Sequence, residues 1–176
     1  MAPAVFPVTM AALRAKIDFP RIGSEPVDVG ATRVTAIPAL HPGGAVGFRV
    51  QPVDAPDRAL VYLPDNELRA PSGPMPQDEW RRMFLEFARE ARVLVHDAMY
   101  TTREYANRAG WGHSTVADAV TLAAEAGIPH LILFHHAPDR SDEEVDRLLS
   151  EARALADQLG ARLKIDAAAE REVLEL

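Results

Sequence analysis

The sequence predicts an α/β fold in which a mixed β-sheet carries helices on one face. Two observations predict it: apolar, strand-like segments follow one another within residues 32–64, and strand-like and helical segments then alternate from residue 92 to residue 167. Strands joined by short turns form an antiparallel meander, whereas strands separated by helices pair in parallel. With 176 residues, 48% of them hydrophobic, the chain is long enough for a single domain over residues 1–176.

The first half of the chain is predicted to be rich in β-structure. Thr9 can cap a short helix that ends near Ile17. The meander strands are bounded by residues that favour turns, and they are predicted at 32–40, 44–53 and 58–64. The Pro-rich stretch APSGPMPQ, residues 70–77, is predicted to be a loop that separates the meander from the second half.

The second half alternates between helices and strands. Apolar residues recur at helical spacing in 78–91, which predicts the first long helix. The remaining elements are strands at 92–97, 129–134 and 161–167 and helices at 101–109, 114–127 and 141–160. The last helix is capped and ends on Gly160. We expect these strands to continue the sheet of the meander, with the helices packed on one of its faces.

Composition excludes several classes of function. The chain has 19 Lys and Arg against 26 Asp and Glu, a formal net charge of -7, so it lacks the basic field of non-specific nucleic-acid binding proteins. It has no cysteine, which excludes disulfides and thiolate metal sites and fits a reducing compartment; we therefore expect a cytoplasmic protein. No stretch is predicted to span a membrane. Any metal must be bound by nitrogen and oxygen ligands.

Histidine and aspartate residues follow the predicted strands at the points where the strands end. They are His41 in HPGG, Asp65 in PDNE, His96 and Asp97 in LVHD, and His135 and His136 in LILFHH. If these strand ends lie on one edge of the sheet, they present imidazole and carboxylate ligands suited to zinc or a similar divalent ion. Taken singly, each has an ordinary alternative, because a strand-end aspartate can cap a turn and a loop histidine can simply face solvent. His130, which precedes its strand, is expected to have such an ordinary role.

Five motifs occur in order along the chain: HPGG, PDNE, LVHDAMY, GWGHST and LILFHHAPDRSDEE. Together they resemble the metallo-β-lactamase-fold hydrolases, in the branch near ribonuclease Z and related phosphodiesterases. The resemblance extends from about residue 5 onward. It implies the C-terminal portion of an αββα sandwich and the metal-dependent hydrolysis of phosphodiester or related ester bonds.

The resemblance also implies roles for individual residues. His41 would complete a first metal site, Asp65 would bridge two metals, and His135 would be a late ligand of the second. The ions of the complete fold would be two divalent metals, zinc first, with manganese or iron as alternatives. Asp97, which occupies the position of the family's glutamate, would orient His113, and His113 would donate a proton to the departing oxygen of the substrate.

The family's His-x-His-x-Asp-His motif does not occur in this sequence. Because three side chains hold two metals poorly, we expect this chain to be the C-terminal part of a larger hydrolase and to be weakly active or inactive by itself. We also expect an apolar sheet face that another chain could cover. The complementing partner would be an N-terminal half or a second copy of the chain.

Two alternatives stay open. The chain could be an inactive partial domain that acts as an oligomerisation or interaction module, or a single-metal hydrolase that uses His41, Asp65 and His135 as its three ligands. As substrate we expect a small phosphodiester or another small ester. Nucleic acid is less expected, because the net charge is negative and the chain lacks the Lys-, Arg- and Gly-rich insertion with which ribonuclease Z holds tRNA.

Overall fold

A computed structural model describes residue 14, residues 25–71, residue 73 and residues 75–175. The helix predicted between Thr9 and Ile17 therefore falls, except for residue 14, outside the described residues. The strands are β1 (Val27–Val29), β2 (Thr32–Ala39), β3 (Ala45–Pro52), β4 (Leu60–Leu63), β5 (Val93–Asp97), β6 (His130–Phe134) and β7 (Lys164–Ala167). The helices are α1 (Gln77–Phe87), α2 (Thr102–Tyr105), α3 (Val116–Glu125) and α4 (Asp142–Gln158).

In the described part of the chain the strands form one seven-stranded sheet whose spatial order, β1 to β7, is also the order of the sequence. The strands from β1 to β4 pair antiparallel, and those from β4 to β7 pair parallel. The α/β prediction with a mixed sheet is confirmed. All the predicted strands that fall in described residues are present, with ends that differ by a few residues, and β1 is an addition at the edge of the sheet.

The longer helices α1, α3 and α4 pack on one face of the sheet, against the strand side chains that point to that face. Leu94 and Leu131 belong to the main core together with Trp80 and Phe84 of α1 and with residues of α3 and α4. The opposite face carries a smaller apolar cluster, formed by Val93, Val95 and Ile132 with the half-buried Leu60, Tyr62, Phe134 and Ala168. Among the described residues, no helical side chain belongs to this second cluster.

Helix boundaries follow local capping. Ser141 begins α4 with a capping box, in which its hydroxyl accepts from the backbone N–H of Glu144 and the Glu144 carboxylate accepts from the N–H of Ser141. Gly160, with φ of 66°, follows the end of α4, as the sequence predicted. Thr115 caps α3 through the N–H of Asp118. No helix in the described ranges has the length and hydropathy needed to cross a membrane.

Strand direction determines which loops meet. β2 and β4 run the same way because each is antiparallel to β3, and β5 and β6 are parallel to β4. In the register of the sheet, Leu63 of β4 is level with His96 of β5, and His96 is level with Leu133 of β6. The C-terminal ends of β2, β4, β5 and β6 therefore lie at one edge of the sheet, which is where open α/β sheets bind ligands.

Candidate metal and acid-base site

Four potential metal ligands meet at this edge. Asp65 follows β4, Asp97 ends β5, His135 follows β6, and His113 reaches the same place from the loop before α3. One ligand atom from each of these residues lies within 4.8 Å of the others. Four of the five site residues predicted from the sequence are thus brought together. The fifth, His41, is not part of this group, although its ring centroid lies 5.6 Å from that of His113.

Asp97 is fully buried, and its carboxylate is engaged by hydrogen bonds on both oxygens. Oδ1 accepts from the backbone N–H groups of Met99 (3.1 Å) and Ser114 (3.2 Å). Oδ2 accepts from Nδ1 of His113 (2.6 Å) and from the backbone N–H of Asn66 (3.4 Å). Because these donors occupy both oxygens, Asp97 is better suited to hold the loops and His113 in place than to bind an ion.

His113 is oriented by this buried carboxylate. Its side chain is 15% exposed, and its ring stacks on that of His135 with centroids 4.6 Å apart. The hydrogen bond to Asp97 raises the pKa of His113, an effect that burial opposes and that the negative charges of Asp97, Asp65 and Glu67 reinforce. Since Nδ1 is bound to Asp97, Nε2 is the nitrogen with which His113 can reach a substrate.

Asp65 and His135 form the more accessible part of the site. Their side chains are 38% and 31% exposed, and Nε2 of His135 lies 3.2 Å from Oδ1 of Asp65. Two donors bound to one tetrahedral zinc ion at ordinary ligand distances are about 3.3 Å apart. Nδ1, the other ring nitrogen of His135, is buried and has no hydrogen-bond partner among the described residues, so Nε2 is the nitrogen that faces Asp65 and an ion. Both the chemistry and the spacing of this pair fit a divalent metal.

The backbone of His135 supports its placement at the end of β6. Its φ is 58°, in the left-handed region that a residue other than glycine adopts at some cost in free energy. Strained conformations of this kind cluster at functional sites. His135 belongs to the group of potential ligands at the edge of the sheet, whereas His136 does not. Nε2 of His136 is buried without a hydrogen-bond partner, and burial lowers the pKa of His136.

His41 is held close to the site by two glycine-containing turns. Its Nδ1 accepts from the backbone N–H of Gly43 at 3.2 Å, so Nε2 carries the proton of the neutral ring. Binding a metal through Nε2 would move this proton to Nδ1 and break that hydrogen bond. On the other side, Gly112 has φ of 95°, and a Cβ atom at this position would lie 2.2 Å from Cδ2 of His41. Only glycine leaves room for the His41 ring there.

A buried glutamate, Glu67, fixes the loop that carries His113. Glu67 has no exposed surface. Its Oε1 accepts from the hydroxyl of Tyr105 (2.6 Å) and from the N–H of Gly110 (2.7 Å), and its Oε2 accepts from the N–H of Gly112 (2.8 Å). Sequence reasoning quoted Glu67 within PDNE but gave it no role. The loop that Glu67 binds, residues 110–112, is more than forty positions away in the chain. No local sequence signal could therefore identify the role of Glu67.

Asn66 and His96 form a second buried element that sequence reasoning did not predict. Nδ1 of His96 donates to the carbonyl of Asp97 at 2.7 Å, which makes Nε2 an acceptor for the side-chain amide of Asn66 at 3.3 Å. Oδ1 of Asn66 accepts from the N–H of Leu40 at 2.8 Å, and its backbone carbonyl accepts from the hydroxyl of Ser114 at 2.5 Å. The end of β2, the loop after β4 and the start of the α3 segment are thereby joined beneath the site.

The family model described as "Beta-lactamase superfamily domain" matches residues 11–136. Ribonuclease Z of Brevibacillus brevis is 37% identical over 118 residues, which cover 60% of this chain and 33% of that protein. Ribonuclease BN of Cronobacter sakazakii is 28% identical over 170 residues, covering 73% of this chain and 54% of that protein. The chain therefore spans between a third and about half of the length of these relatives.

A solved structure with a similar fold is the metallo-beta-lactamase fold protein YhfI from Bacillus subtilis. The two superpose with a TM-score of 0.61 at 19% identity, over 82% of this chain and 49% of that protein. Identity at this level is informative about the fold alone. The sandwich fold expected from the five motifs is confirmed by this likeness.

Proposed function

The chain belongs to the beta-lactamase superfamily, and from this premise we propose that it carries a metal-dependent site for the hydrolysis of phosphodiester bonds. The observation that carries the proposal is the adjacency of two pairs of side chains. Asp65 and His135 offer ligands to a metal, and the buried pair of Asp97 and His113 lies beside them, with the two histidine rings stacked at 4.6 Å. A metal next to an oriented histidine combines two functions that promote phosphodiester hydrolysis, stabilisation of charge by the metal and proton transfer by the histidine.

Asp65 and His135 would hold the ion, and His41, which lies outside their group, would have to move its ring towards them to become a third ligand. Their nitrogen and oxygen donors suit zinc, and manganese and iron accept the same ligands. When bound, the ion would supply Lewis-acid stabilisation of charge on the phosphoryl oxygens and a more acidic water. The 3.2 Å separation between Nε2 of His135 and Oδ1 of Asp65 supports this assignment.

His113 would act as the proton donor to the leaving oxygen. Asp97 fixes its tautomer by accepting the Nδ1 proton, and the same hydrogen bond raises the pKa of His113, so that the protonated ring persists nearer neutral pH. Asp97 also accepts from the backbone N–H of Ser114, so ring and loop are positioned by one group. Ser114 and Thr115 then serve structure: the first joins the loops and the second caps α3.

We propose a nucleic acid as the substrate. Net charge alone favoured a small phosphodiester, but the relatives are named ribonuclease Z and ribonuclease BN, and the bonds that a ribonuclease cuts are phosphodiesters. A negatively charged protein can still bind a polyanion through a local surface. Since the chain spans only part of these relatives, we further propose that residues 1–176 form one partial domain, whose full activity needs ligands supplied by a complementing half.

The metal assignment is tested by zinc binding. The chain and its Asp65→Ala, His135→Ala and His130→Ala variants are stripped of metal and titrated with zinc by calorimetry, with bound metal per protein measured by elemental mass spectrometry. His130 is the matched control, because it lies at the opposite edge of the sheet, where its Nε2 pairs with Asp166 at 2.8 Å. We expect binding at least about tenfold weaker in the two site variants and unchanged in the control. Equal affinity in all four proteins would refute the assignment.

The proton-donor assignment is tested by hydrolysis of a labelled RNA and of a chromogenic phosphodiester at high protein concentration with zinc. The isolated chain is expected to be slow, so the ratio between variants is the readout. His113→Ala should lower the rate about 10²- to 10⁴-fold, whereas His130→Ala should leave it unchanged. Metal-dependent hydrolysis that survives His113→Ala would contradict the role of His113.

The alternative, an association module without catalysis, stays a second hypothesis. The observation that favours it is the apolar cluster on the sheet face opposite the helices. The two hypotheses differ in the residues that they need, because an association module has no use for the metal ligands Asp65 and His135 or for a proton donor at His113. Light scattering of the metal-free chain distinguishes the two: a stable oligomer that binds no zinc would support the module.

A further inference from the structure

Trp111 presents a large aromatic ring to solvent beside the candidate site. The chain has two tryptophans; Trp80 is 1% exposed and Trp111 is 62% exposed. Trp111 stands between Gly110 and Gly112, whose N–H groups are both bound by Glu67. Glu67 thus fixes the backbone of the loop, while the side chain of Trp111 remains exposed to solvent. His113, the proposed proton donor, is two positions further along the chain.

A guanidinium group accompanies this ring. The Arg108 guanidinium carbon lies 5.8 Å from the centroid of Trp111 and 5.1 Å from that of Tyr100. Tyr100 is almost fully buried, and its ring centroid lies 6.1 Å from that of His113. The ring of Tyr100 therefore lies between Arg108 and His113. None of the ion pairs found in the described residues involves Arg108. Its charge is therefore available to an anion.

Arg108 also lines a groove of about 640 Å³ between α2 and the start of α4. Arg103, Arg140 and Arg147 line the same groove, together with three glutamates. Arg140 is 5% exposed and donates to the carbonyl of Met99, yet its Nε is buried without a partner.

The glutamates of the groove are already engaged. Glu104 pairs with Arg140 at 2.9 Å, Glu151 pairs with Arg147 at 2.9 Å, and Glu144 is bound in the capping box of α4. Arg103, like Arg108, has no carboxylate partner in the described part of the chain. The cations of the groove without a carboxylate partner, Arg103 and Arg108, thus lie on its α2 side, and Arg108 is the one that lies over Tyr100.

We propose that Trp111 and Arg108 form a binding site for an unpaired nucleotide of the substrate, next to the scissile phosphate. The base stacks on the exposed ring of Trp111, Arg108 binds a phosphate, and the strand continues into the groove. An exposed aromatic ring beside an arginine is the chemistry with which proteins bind single strands, because every base offers a flat face and every nucleotide a negative charge. The inference rests on the proposed function, that the substrate is a nucleic acid.

Such a site discriminates between single and double strands. Bases within a duplex are stacked on each other and cannot lie on a protein ring, whereas the bases of a single strand can. Stacking on one aromatic residue contributes a factor of about ten or more in affinity, and loss of one phosphate contact weakens binding and reduces its dependence on salt. Trp111 should therefore affect single-strand preference, and Arg108 should affect the salt dependence.

The experiment measures binding without metal, so that catalysis plays no part. A fluorescein-labelled RNA decamer without secondary structure is titrated by anisotropy into the full chain in chelator, and the intrinsic tryptophan emission is recorded in parallel with unlabelled decamer. The variants are Trp111→Ala, Trp111→Phe and Arg108→Ala. The matched control is Arg89→Ala, since Arg89 is an exposed arginine after α1 whose ion pair in the described part of the chain is with Glu86, on the surface.

We expect the decamer to quench the emission of Trp111, and the quenching to vanish in both Trp111 variants. Affinity should fall about tenfold in Trp111→Ala and Arg108→Ala, less in Trp111→Phe, which keeps a ring, and not at all in Arg89→Ala. A duplex of the same sequence should bind more weakly than the single strand. Circular dichroism checks that the variants fold; position 111 is exposed, so substitution there should leave the fold unchanged.

The inference would be overturned by equal affinity of wild type, Trp111→Ala and Arg108→Ala, by a duplex that binds as well as the single strand, or by no binding of the decamer at all. These outcomes are separate from failure of the proposed function. A chain that binds the decamer through Trp111 but binds no zinc refutes the metal site alone. A chain that binds zinc through Asp65 and His135 but ignores the decamer refutes the stacking site alone.

Discussion

Nδ1 of His113 lies 2.6 Å from Oδ2 of Asp97, a carboxylate with no exposed surface that ends the central strand β5. The pair joins a sheet residue to a loop residue sixteen positions later in the chain. The Asp97 carboxylate also accepts hydrogen bonds from the backbone N–H groups of Met99 and Ser114. These bonds fix the carboxylate independently of His113. Because Asp97 belongs to the sheet, the fold itself determines how the imidazole ring of His113 is oriented.

Asp97→Asn should lower the pKa of His113. The charged acceptor and its hydrogen bond raise this pKa in the wild type, and an asparagine supplies neither the charge nor a second acceptor. We expect hydrolysis with metal to fall about 10²- to 10⁴-fold. Proton NMR titration of the metal-free protein gives the pKa of His113 directly. Asp166→Asn, at the opposite edge of the sheet, serves as the control; an unchanged His113 titration in Asp97→Asn would contradict the cause we assign.

Gly112→Ala should be among the costly glycine substitutions. Its φ of 95° is unfavourable for alanine, and the added Cβ would lie 2.2 Å from Cδ2 of His41. We expect a loss of about 2 to 4 kcal/mol in the free energy of unfolding, from strain and overlap together. Gly127→Ala is the matched control, because Gly127 has φ of 65° but no atom within 4 Å of its hypothetical Cβ. That variant should lose about 1 kcal/mol. Similar losses in urea unfolding would show that His41 moves aside freely.

Glu67→Gln should destabilise the loop that carries His113. The two carboxylate oxygens accept three hydrogen bonds, and a glutamine would place an N–H₂ group against backbone N–H donors. We expect a loss of about 2 to 4 kcal/mol in unfolding free energy. Tyr105→Phe removes one donor and leaves the charge in place, so it should cost about 1 kcal/mol. A Glu67→Gln variant as stable as Tyr105→Phe would mean that the loop has other support.

His96 should make the fold sensitive to acid. Burial lowers the pKa of His96, so the folded state resists a proton that the unfolded chain accepts below about pH 6.5. The unfolded state then binds more protons, and stability falls as pH drops below that value, by up to about 1.4 kcal/mol per pH unit. Above it, His96 contributes no pH dependence.

The test compares wild type with His96→Asn by urea unfolding between pH 8 and pH 4.5. Asparagine does not titrate, so the stability difference between the two proteins should shrink steadily below about pH 6.5, while effects of all other groups cancel. A difference that stays constant across this range would mean that His96 does not resist protonation in the folded state.

The sequence was informative where patterns are local. Apolar runs predicted β2 to β6, and the positions of Asp65, Asp97 and His135 after those runs predicted that they would meet, because parallel strands share an edge. Strand β1 was not predicted, since three residues at the edge of a sheet produce little periodic signal. The predicted helix at 101–109 is observed only over Thr102–Tyr105, where Thr101 caps it.

What could not be predicted depends on contacts between distant parts of the chain. Glu67 binds a loop that lies 45 positions later in the chain, and Asn66 pairs with His96, 30 positions later. The roles of His41, Asp65, His113, Asp97 and His135 stay predictions for the experiments above. The hydrogen bond from Gly43 to Nδ1 of His41 could not be predicted from the sequence. Because of this bond, His41 would have to change its tautomer to bind a metal through Nε2.

The identity of spatial order and chain order in the sheet has a consequence for how the molecule is made. During synthesis each new strand can pair with the one that preceded it, so the sheet can grow from β1 towards β7 without waiting for later segments. The antiparallel strands β1 to β4 follow one another closely in the chain, whereas each parallel pair joins residues more than thirty positions apart, so the antiparallel part of the sheet should form before the parallel part. The site at the edge is then among the last features to form, because His135 leaves the ribosome only after β6, when Asp65 and Asp97 are already in place.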